Sequence, residues 1–165
     1  MPFTSLLIAN RGEIAIRIAR AAAELGIRTV AVYAEDDADS LHVRRADHAV
    51  ALKGRGVSAY LDIPQLLQIA RAEGCDAVHP GYGFLAENAQ FARACSEAGV
   101  LMIGPGAEIL ECFGDKAQAR QLAERCAVPL VRGSAAGISL EQAREFMHSL
   151  GAGAAIMLKA VAGGG

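Results

Sequence analysis

A lysine followed by a run of glycines has the order of a phosphate-binding segment. Lys159 comes after the apolar residues Ile156-Met157-Leu158, which we predict to form a buried strand, and before Gly163, Gly164 and Gly165. Glycines let backbone N–H groups approach phosphate oxygens, and a lysine at the end of a strand adds a positive charge there. We therefore expect Lys159 and the three glycines to bind a nucleotide, with a flexible glycine tail and a surface lysine as the alternatives.

A second segment, residues 79–88, combines two glycines with side chains that can bind a ligand or exchange protons. It follows a predicted strand, and ligands of parallel sheets bind at the carboxyl ends of the strands. The glycines flank Tyr82, which offers a flat face and a hydroxyl, while His79 and Glu87 are titratable neighbours. We predict a ligand-binding loop; the alternative is an ordinary glycine-rich turn in which Asn88 caps the next helix.

Lys116 is a third candidate, because it falls in the first turn of a predicted helix that starts at Asp115. A cation there opposes the helix dipole, at a cost of roughly 0.3–1 kcal/mol. This cost suggests an anion partner, which the lysine and the helix N–H groups would bind together. An exposed lysine that tolerates a small penalty is the alternative.

Two common nucleotide motifs are not found in the sequence. The turn after the first predicted strand, residues 10–15, has one glycine instead of the G-x-G-x-x-G pattern, and Glu13 stands where a pyrophosphate would bind. No G-x-x-x-x-G-K-[ST] segment is present either. The sequence therefore argues against NAD, FAD and P-loop nucleotide binding.

Apolar strands alternate with amphipathic helices over the first two thirds of the sequence, which predicts an α/β fold with a Rossmann-like parallel sheet. We expect strands at residues 5–9, 29–33, 48–52, 76–79 and 100–103, and helices at 13–25, 63–73 and 88–98. The acidic stretch 35–40 is predicted to be a loop. A second domain would begin near residue 115, with helices at 115–125 and 140–150, Ser139 as a helix cap, and a strand at 155–159.

Composition narrows the class of protein. Of the 165 residues, 53% are apolar and 21% are charged, which is enough to build a core and argues against disorder. The net charge of −2 and the lack of a basic run exclude a nucleic-acid surface, and no apolar stretch predicts a membrane span. Four scattered cysteines without a secretion signal indicate reduced thiols and a cytoplasmic location.

Five segments together resemble the biotin carboxylase family: Ile8 to Ala15, His79 to Asn88, Ile103 to Pro105, Gly114 to Lys116, and Lys159 with its glycines. The family comprises the biotin-carboxylating subunits or domains of acetyl-, propionyl- and other acyl-CoA carboxylases, pyruvate carboxylase and urea carboxylase. The resemblance covers essentially the whole chain.

The resemblance implies a pre-ATP-grasp domain over residues 1–113 and a truncated ATP-grasp domain over residues 114–165. It also implies an ATP-dependent ligase that activates bicarbonate as carboxyphosphate and carboxylates biotin on a carrier protein. ATP would be bound by Lys116, Lys159, Gly163, Gly164 and Gly165. The biotin and bicarbonate pocket would include Tyr82 and Gly83.

Cofactors and partners follow from the same resemblance. The intact enzyme would use ATP, Mg²⁺ and carrier-linked biotin, and its partners would be a biotin carboxyl carrier protein or domain, a carboxyltransferase and bicarbonate. A homodimer would use the helix that carries Arg17, Arg20 and Glu24, and a solvated helix face is the alternative for these residues.

The chain itself is expected to contain neither the catalytic residues nor the metal ligands, and so to lack carboxylase activity and strong ATP affinity. We interpret it as the front part of an enzyme cut inside its nucleotide site. Two further classes stay open: a non-catalytic partner-binding domain, and another ATP-grasp ligase such as a carbamoyl-phosphate synthetase relative.

Overall fold

The computed structural model describes residues 3–134 and 137–158 of the chain. The chain divides into two compact units, one that ends at Glu111 and one that begins at Cys112. The domain boundary predicted from sequence, at residues 113 and 114, lies close to this division. That the units are a pre-ATP-grasp domain and the start of an ATP-grasp domain stays a prediction.

Five strands form the sheet of the first unit: β1 (Ser5–Ile8), β2 (Arg28–Tyr33), β3 (His48–Ala51), β4 (Ala77–His79) and β5 (Leu101–Met102). Their order across the sheet is β3-β2-β1-β4-β5, and every neighbouring pair is parallel. The end of each strand lies within one residue of its predicted position. The predicted α/β fold with a Rossmann-like parallel sheet is confirmed.

The helices are α1 (Gly12–Glu24), α2 (Gly56–Ala59), α3 (Ile63–Ala72), α4 (Ala89–Glu97), α5 (Ala107–Gly114), α6 (Lys116–Arg125) and α7 (Leu140–Ser149). Short 3₁₀-helices cover Glu35–Asp37 and Leu41–Arg44. The first of these corrects the loop predicted for the acidic stretch, because the N–H of Asp37 donates to the carbonyl of Ala34 at 2.8 Å and closes a tight turn. No helix among the described residues has the length and apolarity needed to cross a membrane.

Two apolar clusters cover the two faces of the sheet. Leu7, Val30 and Val78 belong to one cluster, with residues of α3 and α4. Leu6 and Ile8 belong to the other, with the inward stripe of α1. Successive residues of β1 therefore point to opposite faces, and because both faces are buried Leu6, Leu7 and Ile8 are all apolar.

Two of the helices begin at a capping side chain that the sequence marked: Ser139, as predicted, and Asn88, whose cap belonged to the alternative interpretation of the loop at residues 79–88. Asn88 accepts a hydrogen bond from the N–H of Phe91 at 2.8 Å at the start of α4. Ser139 accepts one from the N–H of Gln142 at 3.2 Å, and the Gln142 side chain accepts one from the N–H of Ser139 at 2.8 Å. This reciprocal pair satisfies two N–H groups at the start of α7 that would otherwise lack partners.

The strand predicted at residues 155–159 is wrong over the part that the structure describes. Residues 155–158 do not form a strand, and Met157 and Leu158 are 79% and 70% exposed instead of buried. A strand needs a neighbour to pair its backbone groups, and the described residues of the second unit contain no strand that could serve. Lys159 lies outside the described residues.

Candidate functional site

The carboxyl ends of β1 and β4 bring two segments of the first unit together. Ile8 is in register with His79, and the N–H of Ala9 donates to the carbonyl of His79 at 3.0 Å. The turn that leads into α1 and the loop that follows β4 therefore emerge side by side at one edge of the sheet. This is the edge at which the sequence predicted the segment 79–88, and it is where ligands of parallel sheets bind.

Asn10 ties the turn to the loop. Its side chain is 4% exposed, and its Nδ2 atom donates to the carbonyl of Pro80 at 2.6 Å and to that of Tyr82 at 2.9 Å. Its Oδ1 atom accepts a hydrogen bond from the N–H of Arg11 at 2.8 Å. Both amide protons are thus used to fix two carbonyl groups of the loop, and any movement of the loop would leave buried polar groups unsatisfied.

The two glycines of the loop, Gly81 and Gly83, have different structural roles. Both have left-handed backbones, with φ of 70° at Gly81 and 64° at Gly83. A Cβ atom at Gly81 would lie 2.8 Å from Nδ2 of Asn10 and 3.1 Å from Cγ1 of Ile14, so the close approach of turn and loop requires a glycine. A Cβ atom at Gly83 would meet nothing within 4 Å, so the backbone there is open to a ligand.

Tyr82 stands at the tip of the loop and is 61% exposed. Its hydroxyl donates to Oε2 of Glu13 at 3.1 Å, and Oε1 of Glu13 lies 3.6 Å from Nε of Arg17. The hydrogen bond to Glu13 raises the pKa of Tyr82. The phenol is therefore protonated at neutral pH, with an exposed ring face and a fixed hydroxyl.

A second group of side chains supports the other end of the loop. Nη1 of Arg11 lies 3.0 Å from Oδ2 of Asp37, and its guanidinium stands 5.8 Å and 6.0 Å from the ring centres of Tyr60 and Phe84. These two rings stack at 5.4 Å. Phe84 has a φ of 41°, an unusual value for a residue with a side chain, and its ring contacts hold it there.

Burial and hydrogen bonds determine the ionisation states of Arg11, Asp37 and Tyr60. Burial would raise the pKa of Asp37, but hydrogen bonds from Tyr60, Arg11 and Ser40 outweigh it and hold the pKa below its usual value. Burial raises the pKa of Tyr60, and the hydrogen bond to Asp37 raises the pKa of Arg11. At neutral pH Asp37 and Arg11 are ionised and Tyr60 is neutral, so these groups act as an anchor instead of exchanging protons.

The titratable neighbours predicted in the loop differ in their surroundings. Nδ1 of His79 accepts a hydrogen bond from the N–H of Gly81 at 3.0 Å, and burial lowers the pKa of His79. Its imidazole is therefore neutral and part of the loop scaffold. Glu87 is exposed to solvent.

The second unit contains the described part of the predicted ATP site. Lys116 is the first residue of α6 and is exposed. The Asp115 carboxylate accepts hydrogen bonds from the N–H groups of Ala117 at 2.8 Å and Gln118 at 3.2 Å. These two N–H groups are occupied, so the geometry does not support the expectation that they join Lys116 at an anion. Lys159 and residues 163–165 lie outside the described residues.

Several residues of the site were not singled out as candidates from sequence. Asn10 and Arg11 lie in a motif that carries the family resemblance, but their contacts depend on the pairing of β1 with β4. Asp37 was one of several acidic residues in a predicted loop, and no sequence pattern marked Tyr60 as a residue of the site. Among the described residues, no group of three or more His, Cys, Asp or Glu side chains could hold a metal ion.

Comparison with known proteins identifies the family. The family model described as "Biotin carboxylase, N-terminal domain" matches residues 2–110. The chain therefore belongs to the biotin carboxylase N-terminal domain family, and the resemblance seen in the sequence is confirmed.

Curated relatives are similar over almost the whole chain. The mitochondrial pyruvate carboxylase of Mus musculus is 51% identical over 99% of this chain, which spans 14% of that protein. The biotin carboxylase of Halalkalibacterium halodurans is 48% identical over 99% of this chain, which spans 36% of that protein. The chain thus spans about a third or less of the length of these relatives.

Solved structures agree with this assignment. The biotin carboxylase domain of a single-chain bacterial carboxylase is 57% identical and superposes with a TM-score of 0.89. The superposition covers 96% of this chain and 36% of the solved chain. The biotin carboxylase domain dimer of Hydrogenobacter thermophilus 2-oxoglutarate carboxylase is 43% identical with a TM-score of 0.86. The superposition covers 92% of this chain and 34% of the solved chain. That dimer was solved in complex with MgADP, ADP and bicarbonate.

Proposed function

We propose that the chain is the N-terminal part of a biotin carboxylase, an ATP-dependent ligase that carboxylates biotin on a carrier protein with bicarbonate as the carboxyl source. The observation that carries the proposal is the loop 79–88, which the turn at residues 10–13 holds at the carboxyl edge of the sheet in a member of this family. The whole protein would be longer than this chain, because the relatives are about three or more times its length.

Tyr82 and Gly83 would line the biotin and bicarbonate pocket. Three features of the structure support this role: the exposed ring of Tyr82, its hydroxyl fixed on Glu13, and the open side of the backbone at Gly83. Bound biotin would supply the nitrogen that accepts the carboxyl group. The residues of this chain would orient the ring system and exclude water from one side of it.

ATP would be bound through Lys116, Lys159, Gly163, Gly164 and Gly165 in the ATP-grasp domain. ATP supplies the energy that activates bicarbonate, and Mg²⁺, held by carboxylate oxygens of the intact enzyme, would offset the negative charge of the phosphates. The exposed position of Lys116 at the start of α6 supports a contact through its side chain, with the neighbouring N–H groups already bound to Asp115. The solved relative with bound MgADP supports the use of a magnesium nucleotide by the intact enzyme.

The proposed partners are a biotin carboxyl carrier protein or domain, a carboxyltransferase and a second copy of the enzyme. Arg17, Arg20 and Glu24 are exposed on one face of α1, and the dimeric relative supports a homodimer. We propose a cytoplasmic location. The four cysteines are free, as expected in a reducing compartment, and cell fractionation tests the location.

The experiment that tests this function is ADP release by the full-length protein with ATP, Mg²⁺, bicarbonate and free biotin. We expect ADP release that rises when biotin is added and that needs bicarbonate. We expect none from residues 1–165 alone. ATP cleavage by the short chain would refute the expected inactivity, and a full-length protein that never responds to biotin would refute the proposed function.

A further inference from the structure

Tyr82 is held at two points by residues that lie before and within the first turn of α1. Its carbonyl accepts a hydrogen bond from Nδ2 of Asn10 at 2.9 Å, and its hydroxyl donates to Oε2 of Glu13 at 3.1 Å. The two contacts act at opposite ends of one residue, the backbone and the tip of the side chain. Together they determine where the ring stands and which way it faces.

The backbone contact is rigid because Asn10 is itself buried and fully used. The same Nδ2 atom also donates to the carbonyl of Pro80 at 2.6 Å, and Gly81 between them leaves no room for a Cβ atom against Asn10. The carbonyl of Tyr82 cannot shift without leaving an amide proton of Asn10 unsatisfied in a buried place.

The side-chain contact is more exposed, but its acceptor is well placed. Glu13 lies in the first turn of α1, where the helix dipole favours a carboxylate, and Arg17 approaches its other oxygen from the next turn. Without Glu13 the exposed ring of Tyr82 would be free to rotate in solvent, because no other hydrogen bond reaches its hydroxyl among the residues that the structure describes.

We propose that Asn10 and Glu13 are positioning residues that set the ring of Tyr82 for biotin. The proposal rests on the function proposed above, in which Tyr82 lines the biotin pocket. Neither residue touches the substrate in this account. Asn10 fixes the backbone from which the ring projects, and Glu13 fixes the direction of the ring.

A double-mutant cycle in the full-length protein tests the Glu13 contact. Glu13→Ala should raise KM for free biotin by about 2- to 10-fold, the value of one hydrogen bond, and leave KM for ATP unchanged. Glu13→Gln keeps an acceptor oxygen and should restore part of the loss. In a Tyr82→Phe background, Glu13→Ala should have no further effect on KM for biotin.

The matched control is Glu97→Ala, which removes an exposed carboxylate from the last turn of α4. It should leave KM for biotin unchanged. The proposal is overturned if Glu13→Ala leaves KM for biotin unchanged, or if it raises KM equally in the presence and absence of the Tyr82 hydroxyl.

A spectroscopic readout is independent of activity. Ultraviolet titration of the phenols, with Tyr82→Phe as the reference, should show Tyr82 ionising at lower pH in Glu13→Ala than in the wild type, because Glu13 raises the pKa of Tyr82. An unchanged Tyr82 titration would mean that the two side chains do not meet in solution, which overturns the proposal.

Asn10→Asp tests the backbone contact with little change of shape. It replaces the amide donor by an oxygen that faces two carbonyl oxygens, so KM for biotin should rise more than in Glu13→Ala. If Asn10→Asp fails to fold, Asn10→Ala tests the same contact, because it removes both hydrogen bonds without placing an oxygen against the two carbonyl groups; an unchanged KM for biotin in that variant overturns the role of Asn10. The proposed function and the positioning role are refuted by different results. A wild type without biotin-dependent turnover refutes the proposed function. An active wild type whose KM for biotin is unchanged by Glu13→Ala refutes the positioning role alone.

Discussion

The hydroxyl of Tyr60 donates a hydrogen bond to Oδ2 of Asp37 at 2.8 Å, and the same oxygen accepts one from Arg11 at 3.0 Å. Tyr60 also accepts a hydrogen bond from the N–H of Ala34 at 3.1 Å. One carboxylate thus joins the turn after β1, the 3₁₀-helix after β2, and the residue that follows α2. Because Arg11 stands over the ring of Phe84, this anchor also supports the loop at residues 79–88.

Removing the anchor should destabilise the first unit. We expect Asp37→Ala to lower the free energy of unfolding by about 1.5–3 kcal/mol, since the hydrogen bonds from Tyr60, Arg11 and Ser40 to a charged group are lost together. The measurement is urea unfolding of the chain. The control is Asp39→Ala, which removes a fully exposed carboxylate that lies 4.0 Å from Arg44; solvent screens this pair, so its loss should change the free energy of unfolding far less than Asp37→Ala does. Equal losses in the two variants would contradict the anchor.

The two glycines of the loop should respond differently to alanine. Gly83→Ala should cost about 1–2 kcal/mol, because a left-handed backbone disfavours a side chain but the site has room. Gly81→Ala adds a collision with Asn10 and should cost more in the same unfolding experiment. A Gly81→Ala variant as stable as Gly83→Ala would show that the turn and the loop are not packed as described.

Stability should fall on acidification. Hydrogen bonds hold the pKa values of three carboxyl groups below the usual range. The main donors are Tyr60 and Arg11 for Asp37, Thr29 for Asp47, and Thr4 for Asp76. A carboxyl group with a lower pKa in the folded state stabilises the fold above its unfolded pKa of about 4, and this contribution is lost as the pH falls through the folded pKa. Burial also lowers the pKa of His42 and of His79, so urea midpoints should begin to decrease below their unfolded pKa of about 6.5 and decrease further below about pH 4, where the carboxyl groups protonate. A midpoint that rises with acid would contradict these contacts.

Thiol reactivity should follow burial. Cys75 and Cys95 are buried, and burial raises the pKa of both thiols to about 11, whereas Cys126 is exposed. A thiol reagent at mildly alkaline pH should label Cys126 quickly in the native chain and reach Cys75 and Cys95 only after denaturation. Mass spectrometry of the peptides identifies the labelled sites. Rapid native labelling of Cys95 would show that the core around α4 is open.

Sequence patterns were sufficient to predict the architecture of the first unit. Short apolar runs separated by amphipathic helices specify parallel strands buried on both faces, and Leu6, Leu7 and Ile8 show why such a strand has no polar face. The loop at residues 79–88 could be placed at the carboxyl edge because it directly follows a strand. Helix starts at Asn88 and Ser139 were visible because capping is a local interaction.

Contacts between distant segments could not be predicted in this way. Asn10 meets Tyr82 only because β1 pairs with β4 in one register, and Asp37 meets Tyr60 only because a 3₁₀-turn aims its side chain inward. The strand predicted at residues 155–159 is absent over its described residues, 155–158, for the converse reason. Its apolar residues fit a strand locally, but a strand forms only where a neighbour is available, and local sequence does not contain that information.

The central claim is tested most directly by following isotope-labelled bicarbonate in the full-length protein with ATP, Mg²⁺ and free biotin. The account predicts label on biotin that requires ATP, and a Tyr82→Ala variant that needs more biotin to reach the same rate of labelling. Biotin that stays unlabelled under these conditions, or a Tyr82→Ala variant with an unchanged requirement for biotin, would contradict it.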